Sequence, residues 1–74
     1  MDIIDQRAEH YGDPRPNHHR IAGLWSAYLD TTVTAHDVAA MMVLLKVARA
    51  KVDAWHEDNY TDLVGYTEIM RQVR

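Results

Sequence analysis

Residues 34–52 read Thr34-Ala35-His36-Asp37-Val38-Ala39-Ala40-Met41-Met42-Val43-Leu44-Leu45-Lys46-Val47-Ala48-Arg49-Ala50-Lys51-Val52, and this stretch decides the fold. Thr34 followed by Asp37 is a capping-box variant, in which each side chain accepts a backbone N–H from the other's residue. Val33 and Val38 stand at the positions of a hydrophobic staple, so a helix is expected to start at Ala35. Val38, Met41, Met42, Leu45, Ala48 and Val52 then make an apolar stripe at helical spacing. Val43, Leu44 and Val47 widen it until little of the middle should face water. A central helix ending at Val52 or Asp53 is the expectation.

Upstream, Gly12-Asp13-Pro14-Arg15-Pro16-Asn17 concentrates the helix-breaking residues. A short helix from about Asp2 to His10 is expected before it, with Gly12 supplying a left-handed residue at its end. Asn17 is then a natural N-cap for a helix running to about Leu29. Ile21, Leu24, Trp25 and Tyr28 fall on one stripe of that helix, which predicts a buried face. Gly23 costs on the order of 1 kcal/mol relative to alanine and reads as simply tolerated. Downstream, a polar connection from Asp53 to Asn59 precedes a final helix from about Asn59 to Gln72. Its apolar side is Tyr60, Leu63, Val64, Ile69, Met70 and Val73, and Gly65 would let another helix approach closely.

No segment alternates as a strand, so the fold class is all-α: three main helices plus a short N-terminal one, in a single domain over residues 1–74. The chain has 74 residues and no cysteine, so disulfides cannot reinforce it. Chains this short bury only roughly 60% of their unfolded surface. Three helices with such broad apolar faces cover one another poorly, which predicts completion of a helical bundle by self-association, with a dimer favoured.

The formal net charge is −3, and Lys and Arg are outnumbered by Asp and Glu, 8 against 11. That balance disfavours nucleic acid as a partner and a DNA-binding regulator as a function. No apolar run approaches the roughly 20 residues of a membrane span, and Met1-Asp2-Ile3-Ile4-Asp5 is too acidic for a secretory signal. A soluble, cytoplasmic protein without a membrane partner is expected.

One charged constellation stands out. Lys46 and Arg49 lie at i and i+3 and interrupt a stripe that otherwise calls for apolar side chains. Asp58 and Asp62 lie at i and i+4, a like-charge pair that weakens a helix by a few tenths of a kcal/mol. In a structural reading, Arg49 and Lys46 are paired as a set against Asp62 and Asp58 where two helices cross, since buried charges are paired far more often than not. In a functional reading the same four residues line a cleft, the cations holding a phosphate and the aspartates a divalent cation.

Around these residues a resemblance emerges. Tyr11-Gly12-Asp13-Pro14, Asn17, Ile21-Ala22-Gly23-Leu24-Trp25-Ser26-Ala27-Tyr28-Leu29, Asp37-Val38-Ala39, Met41 through Arg49, Asp58-Asn59, Asp62 and Gly65-Tyr66 together resemble a family of short, uncharacterised tailed-bacteriophage proteins. The resemblance implies a phage protein working in the cytoplasm of a bacterial host. The chain is more distantly similar to the all-α nucleoside triphosphate pyrophosphohydrolases of the MazG type. These build a magnesium site from an E-x-x-E pair on one helix and an E-x-x-D pair on the next. The first pair falls on Lys46-Val47-Ala48-Arg49 and the second on Asn59-Tyr60-Thr61-Asp62, so that only Asp62 is an acidic match. Mg²⁺ needs oxygen ligands, and Lys and Arg offer donors only. The similarity thus implies the fold and the dimer more than the chemistry. An enzyme would have to hold Mg²⁺ through Asp58, Asp62 and Asp37.

Of the five histidines, no two stand at i, i+3 or i, i+4, which disfavours a zinc site within one helix. His18-His19 reads as the solvated polar start of a helix. Ser26 lies in an apolar run without a histidine at helical spacing, so no nucleophile arrangement is evident. Trp25, Met42, Leu45, Leu63 and Tyr66 are expected in the core or at the subunit interface. Trp25, Tyr28, Tyr60 and Tyr66 could also stack on a nucleobase, while Trp55, beside the polar connection, suits an exposed contact. The favoured function is a small, self-associating phage binding protein, directed at a host protein or at a nucleotide that it does not process, with no cofactor. The alternative is a Mg²⁺-dependent nucleotide pyrophosphohydrolase of the MazG type.

Overall fold

The computed structural model describes residues 12–74. It contains three helices, α1 Pro14–Leu29, α2 Ala35–Val52 and α3 Glu57–Gln72, and no strand among the described residues. The helix expected over Asp2 to His10 lies outside them. Gly12, with φ of 81°, does take the left-handed conformation.

Helix α1 starts at Pro14, three residues before the expected cap at Asn17. Asp13 is the N-cap, and its carboxylate accepts the Arg15 N–H at 3.0 Å. Pro14 and Pro16 fit inside the first turn because N–H groups there have no acceptor within the helix, so a residue lacking one loses nothing. The prolines therefore open the helix instead of preceding it. At the other end Asp30 adopts φ 53° and closes α1 with a left-handed cap. Ser26 ties the following connection down: its hydroxyl donates to Val33 O at 3.0 Å and accepts the Val33 N–H at 2.8 Å.

Helix α2 has the predicted bounds. Thr34 Oγ1 accepts the Asp37 N–H and Asp37 Oδ2 accepts the Thr34 N–H, each at 3.0 Å, so both halves of the capping box are present. Helix α3 begins two residues earlier than expected, at Glu57, with His56 as an N-cap whose side chain makes no capping bond. Glu57 and Asp58 in its first turn instead place negative charge against the positive end of the helix dipole.

Helices α2 and α3 form the main packing interface, and α1 rests chiefly on α2. The core is small. Ala39 and Ile69 are buried at its centre, with Tyr66, Met70 and Val73 packed against them, and Val38 is fully enclosed. Gly65 is buried as well, as expected for a point of close approach. Beyond its own helical turns, no atom of the described residues lies within 4 Å of where a Cβ would stand on Gly23, so it is tolerated and not required by packing among them.

Two expectations about burial need correction. The middle of α2 is not enclosed: Leu44 is 66% and Val47 51% exposed, because among the described residues α2 has only α1 and α3 as neighbours. In α1 the residues turned inward are His18 and Ala22, while Leu24 and Tyr28 of the predicted stripe are 64% and 88% exposed. Trp25, Met42, Leu63 and Tyr66 are half-buried, and Leu45 is exposed, leaving it outside the core of the chain.

Candidate functional site

The last two turns of α2, the connection after it and the first turns of α3 enclose an open groove of about 740 Å³. Lys46, Arg49 and Val52 line it from α2, Asp53 and His56 from the connection, and Asp58, Asn59 and Asp62 from α3. This size is within the range of small-molecule sites. All four members of the charged constellation are therefore on one concave surface.

They do not pair as a set. Lys46 Nζ stands 2.8 Å from Asp62 Oδ2, with the two side chains 13% and 27% exposed, so this contact is largely withdrawn from water. Arg49 meets neither aspartate. Its guanidinium makes no ion pair or hydrogen bond with any described residue, so the expected pairing of both cations with Asp62 and Asp58 forms only in part. The reason is the early start of α3, which leaves Asp58 on the first turn at the groove rim, where its partner is His56 of its own N-cap at 3.7 Å. Asp58 gains from the helix dipole and Asp62 from Lys46, so each anion of the i, i+4 pair is compensated differently.

The connection is well tied. Asp53 Oδ1 accepts the Trp55 N–H at 3.1 Å, an Asx turn, and Tyr60 of α3 donates its hydroxyl proton to Ala54 O at 2.7 Å. Asn59 is buried beneath it. Sequence reasoning did not anticipate Asp53 and His56 as groove residues. The legible signal was Asp53 standing two residues before the Trp55 N–H, the spacing of an Asx turn.

The three-aspartate magnesium reading does not assemble. Asp37 is nine residues before Lys46 on the same helix, about 13 Å along its axis. Its carboxylate belongs to the capping box, where hydrogen bonds from the Thr34 N–H and hydroxyl hold it below the usual carboxylate range. Asp62 is occupied by Lys46. Among the described residues no three His, Asp or Glu side chains are grouped so as to hold a metal ion. These residues do not fit a magnesium centre. Lys46, Arg49, Asn59 and Asp62 all line this one groove.

His18 departs from the expected solvated helix start. Because α1 begins at Pro14, His18 falls in its second turn on the inward face, where it is 6% exposed. Its Nδ1 lies 2.8 Å from Pro14 O, and its ring is 6.2 Å from that of Tyr66. A carbonyl only accepts, so the proton of this contact is on Nδ1, and the buried Nε2 has no hydrogen-bond partner among the described residues.

A family model described as a domain of unknown function, DUF6378, matches residues 1–74. The Gene 55 protein of Mycobacterium phage L5 is 44% identical over 73 residues, a match covering 97% of this chain and 47% of that protein. The Gene 55 protein of Mycobacterium phage D29 is 40% identical over 71 residues, covering 96% of this chain and 47% of that protein. The chain thus spans about half the length of the curated relatives it matches. No solved structure matches it. None of the helices among the described residues is long and apolar enough to cross a membrane.

Proposed function

The chain belongs to the DUF6378 family, with relatives in mycobacteriophages, and we propose, from its groove, a phage protein that binds a nucleotide in the host cytoplasm without hydrolysing it. The observation that carries this reading is Arg49, a permanently charged fork on a concave wall whose guanidinium is not engaged by any described carboxylate. A guanidinium so placed suits two-point recognition of a phosphate group. Absence of hydrolysis follows from Lys46, which stands on the one carboxylate that matches the MazG-type magnesium pattern.

The protein acts as a homo-oligomer, most simply a dimer. Leu24, Tyr28, Leu44 and Val47 each leave more than half of their surface exposed, and a second copy packed on α1 and α2 would cover them. Replacing both Leu44 and Val47 by lysine should convert the dimer to a monomer in sedimentation velocity at micromolar concentration. A monomeric parent chain would remove the proposal.

The convergence of Lys46, Arg49, Asn59 and Asp62 on the groove favours a second reading, a Mg²⁺-dependent pyrophosphohydrolase of the MazG type. One assay separates the two. The protein is incubated with mixed deoxynucleoside triphosphates and Mg²⁺ and pyrophosphate is measured. None is expected, while equilibrium dialysis should show nucleotide retained by the parent chain and lost in Arg49→Gln. Release of pyrophosphate that stops in a folded Asp62→Asn variant would decide for the enzyme.

A further inference from the structure

We infer that the groove is built for a nucleoside monophosphate, with the phosphate on Arg49 and the base stacked on Trp55. This deepens the proposal above and rests on the groove being a nucleotide site. Trp55 is 91% exposed, although it is the largest apolar side chain near the groove. It does not itself line the groove, but it is carried by the connection between Asp53 and His56, both of which do.

The backbone that carries this indole is held from three sides. The Trp55 N–H donates to Asp53 Oδ1 at 3.1 Å, the His56 N–H donates to Asp53 O at 3.4 Å, and Ala54 O accepts from the Tyr60 hydroxyl at 2.7 Å. A bare indole on a fixed turn has lost backbone freedom in advance and keeps a free face, the arrangement of a stacking platform. Val52, 90% exposed, adds apolar surface on the groove wall between Arg49 and that turn. Stacking tolerates any base, since every base offers a π-face.

The charge of the groove sets the number of phosphates. Lys46 and Arg49 face Asp53, Asp58 and Asp62, one carboxylate more than there are cations, and Lys46 is already neutralised by Asp62. A triphosphate would bring several further negative charges against Asp53 and Asp58 with only Arg49 to receive them. A phosphomonoester carries roughly −1.5 to −2 at neutral pH, which a single guanidinium can hold in bidentate fashion.

The test uses the full chain and calorimetric titration with adenosine monophosphate, adenosine triphosphate and ribose 5-phosphate. A Trp25→Phe variant, which leaves Trp55 as the single tryptophan of the chain, reports stacking by fluorescence. Adenosine monophosphate should quench Trp55 and bind about 5- to 150-fold tighter than ribose 5-phosphate, the range expected for one stacked base. Adenosine triphosphate should bind no tighter than the monophosphate. Trp55→Ala, at a position too exposed to threaten folding, should bring the nucleotide down to the level of the sugar phosphate. Equal binding of monophosphate and sugar phosphate, insensitive to Trp55→Ala, overturns the stacking platform and leaves the groove as a phosphate site. Triphosphate binding more than tenfold tighter overturns the monophosphate assignment. Failure of all three compounds to bind defeats the nucleotide groove itself.

Discussion

Lys46→Met is the perturbation that most directly tests how α2 and α3 are held at the groove. At 2.8 Å, Coulomb attraction in a medium of effective dielectric near 20 is gross about 6 kcal/mol. Most of that is offset by removing the two ions from water, and the net value depends on burial. Fully exposed pairs contribute about 0.2–1 kcal/mol, whereas breaking a fully buried pair costs about 3–5 kcal/mol because the remaining charge is stranded. With Lys46 13% and Asp62 27% exposed, and Asp62 reachable by water from the groove, an intermediate loss of about 2 kcal/mol is expected. For a domain of this size that is a fall in Tm of about 8–16 °C. Urea unfolding followed by circular dichroism, at one protein concentration because the proposed self-association would add stability, would be run on Lys46→Met, Asp62→Asn and the double variant. The cycle should yield a coupling of at least about 1 kcal/mol, the double variant losing less than the two singles together. Additivity within about 0.3 kcal/mol would refute the reasoning, showing the contact to be a solvated pair without energetic weight.

Two further outcomes are expected. Gly23→Ala should stabilise the protein by about 1 kcal/mol through helix propensity, visible as a rise in Tm of about 4–8 °C, since beyond its own helical turns no described residue lies within 4 Å of the new methyl group. A decrease instead would mean that the chain does not present that face of α1 to open space. The Arg71 guanidinium, and after it the Gln72 amide, hold the Glu68 carboxyl down to about 2. Its folded-state pKa is below that of the unfolded chain, so its contribution to stability is complete above the ordinary glutamate range and fades as pH falls toward about 2. Carboxyl ¹³C NMR titration of Glu68 and the flatter acid limb of Glu68→Gln check this, and a Glu68 that titrates near 4.5, the ordinary glutamate value, contradicts it.

How much of the site could be read from the residues varies with the range of the interaction involved. Two cations in an apolar stripe announced that Lys46 and Arg49 needed an explanation, and Asp62 and Asp58 were expected opposite them only as a set, of which the Lys46–Asp62 contact forms. Which cation meets which anion was not legible, because it depended on where α3 begins. A start two residues earlier moves Asp58 to the first turn and hands it to His56. His18 was misplaced for the same kind of reason, its inward position following from the start of α1 at Pro14.

The bounds of α2, its capping box and the all-helical character were determined by the sequence itself, since caps and helical periodicity act between residues no more than a few positions apart. Tertiary structure alone decided which apolar side chains are covered, which carboxylate each cation reaches, and that Lys46, Arg49, Asn59 and Asp62 share one groove. Burial depends on how many neighbours a helix has and on which side they stand. A stripe of apolar residues declares that a face needs covering, and only the assembled helices determine whether anything lies there to cover it.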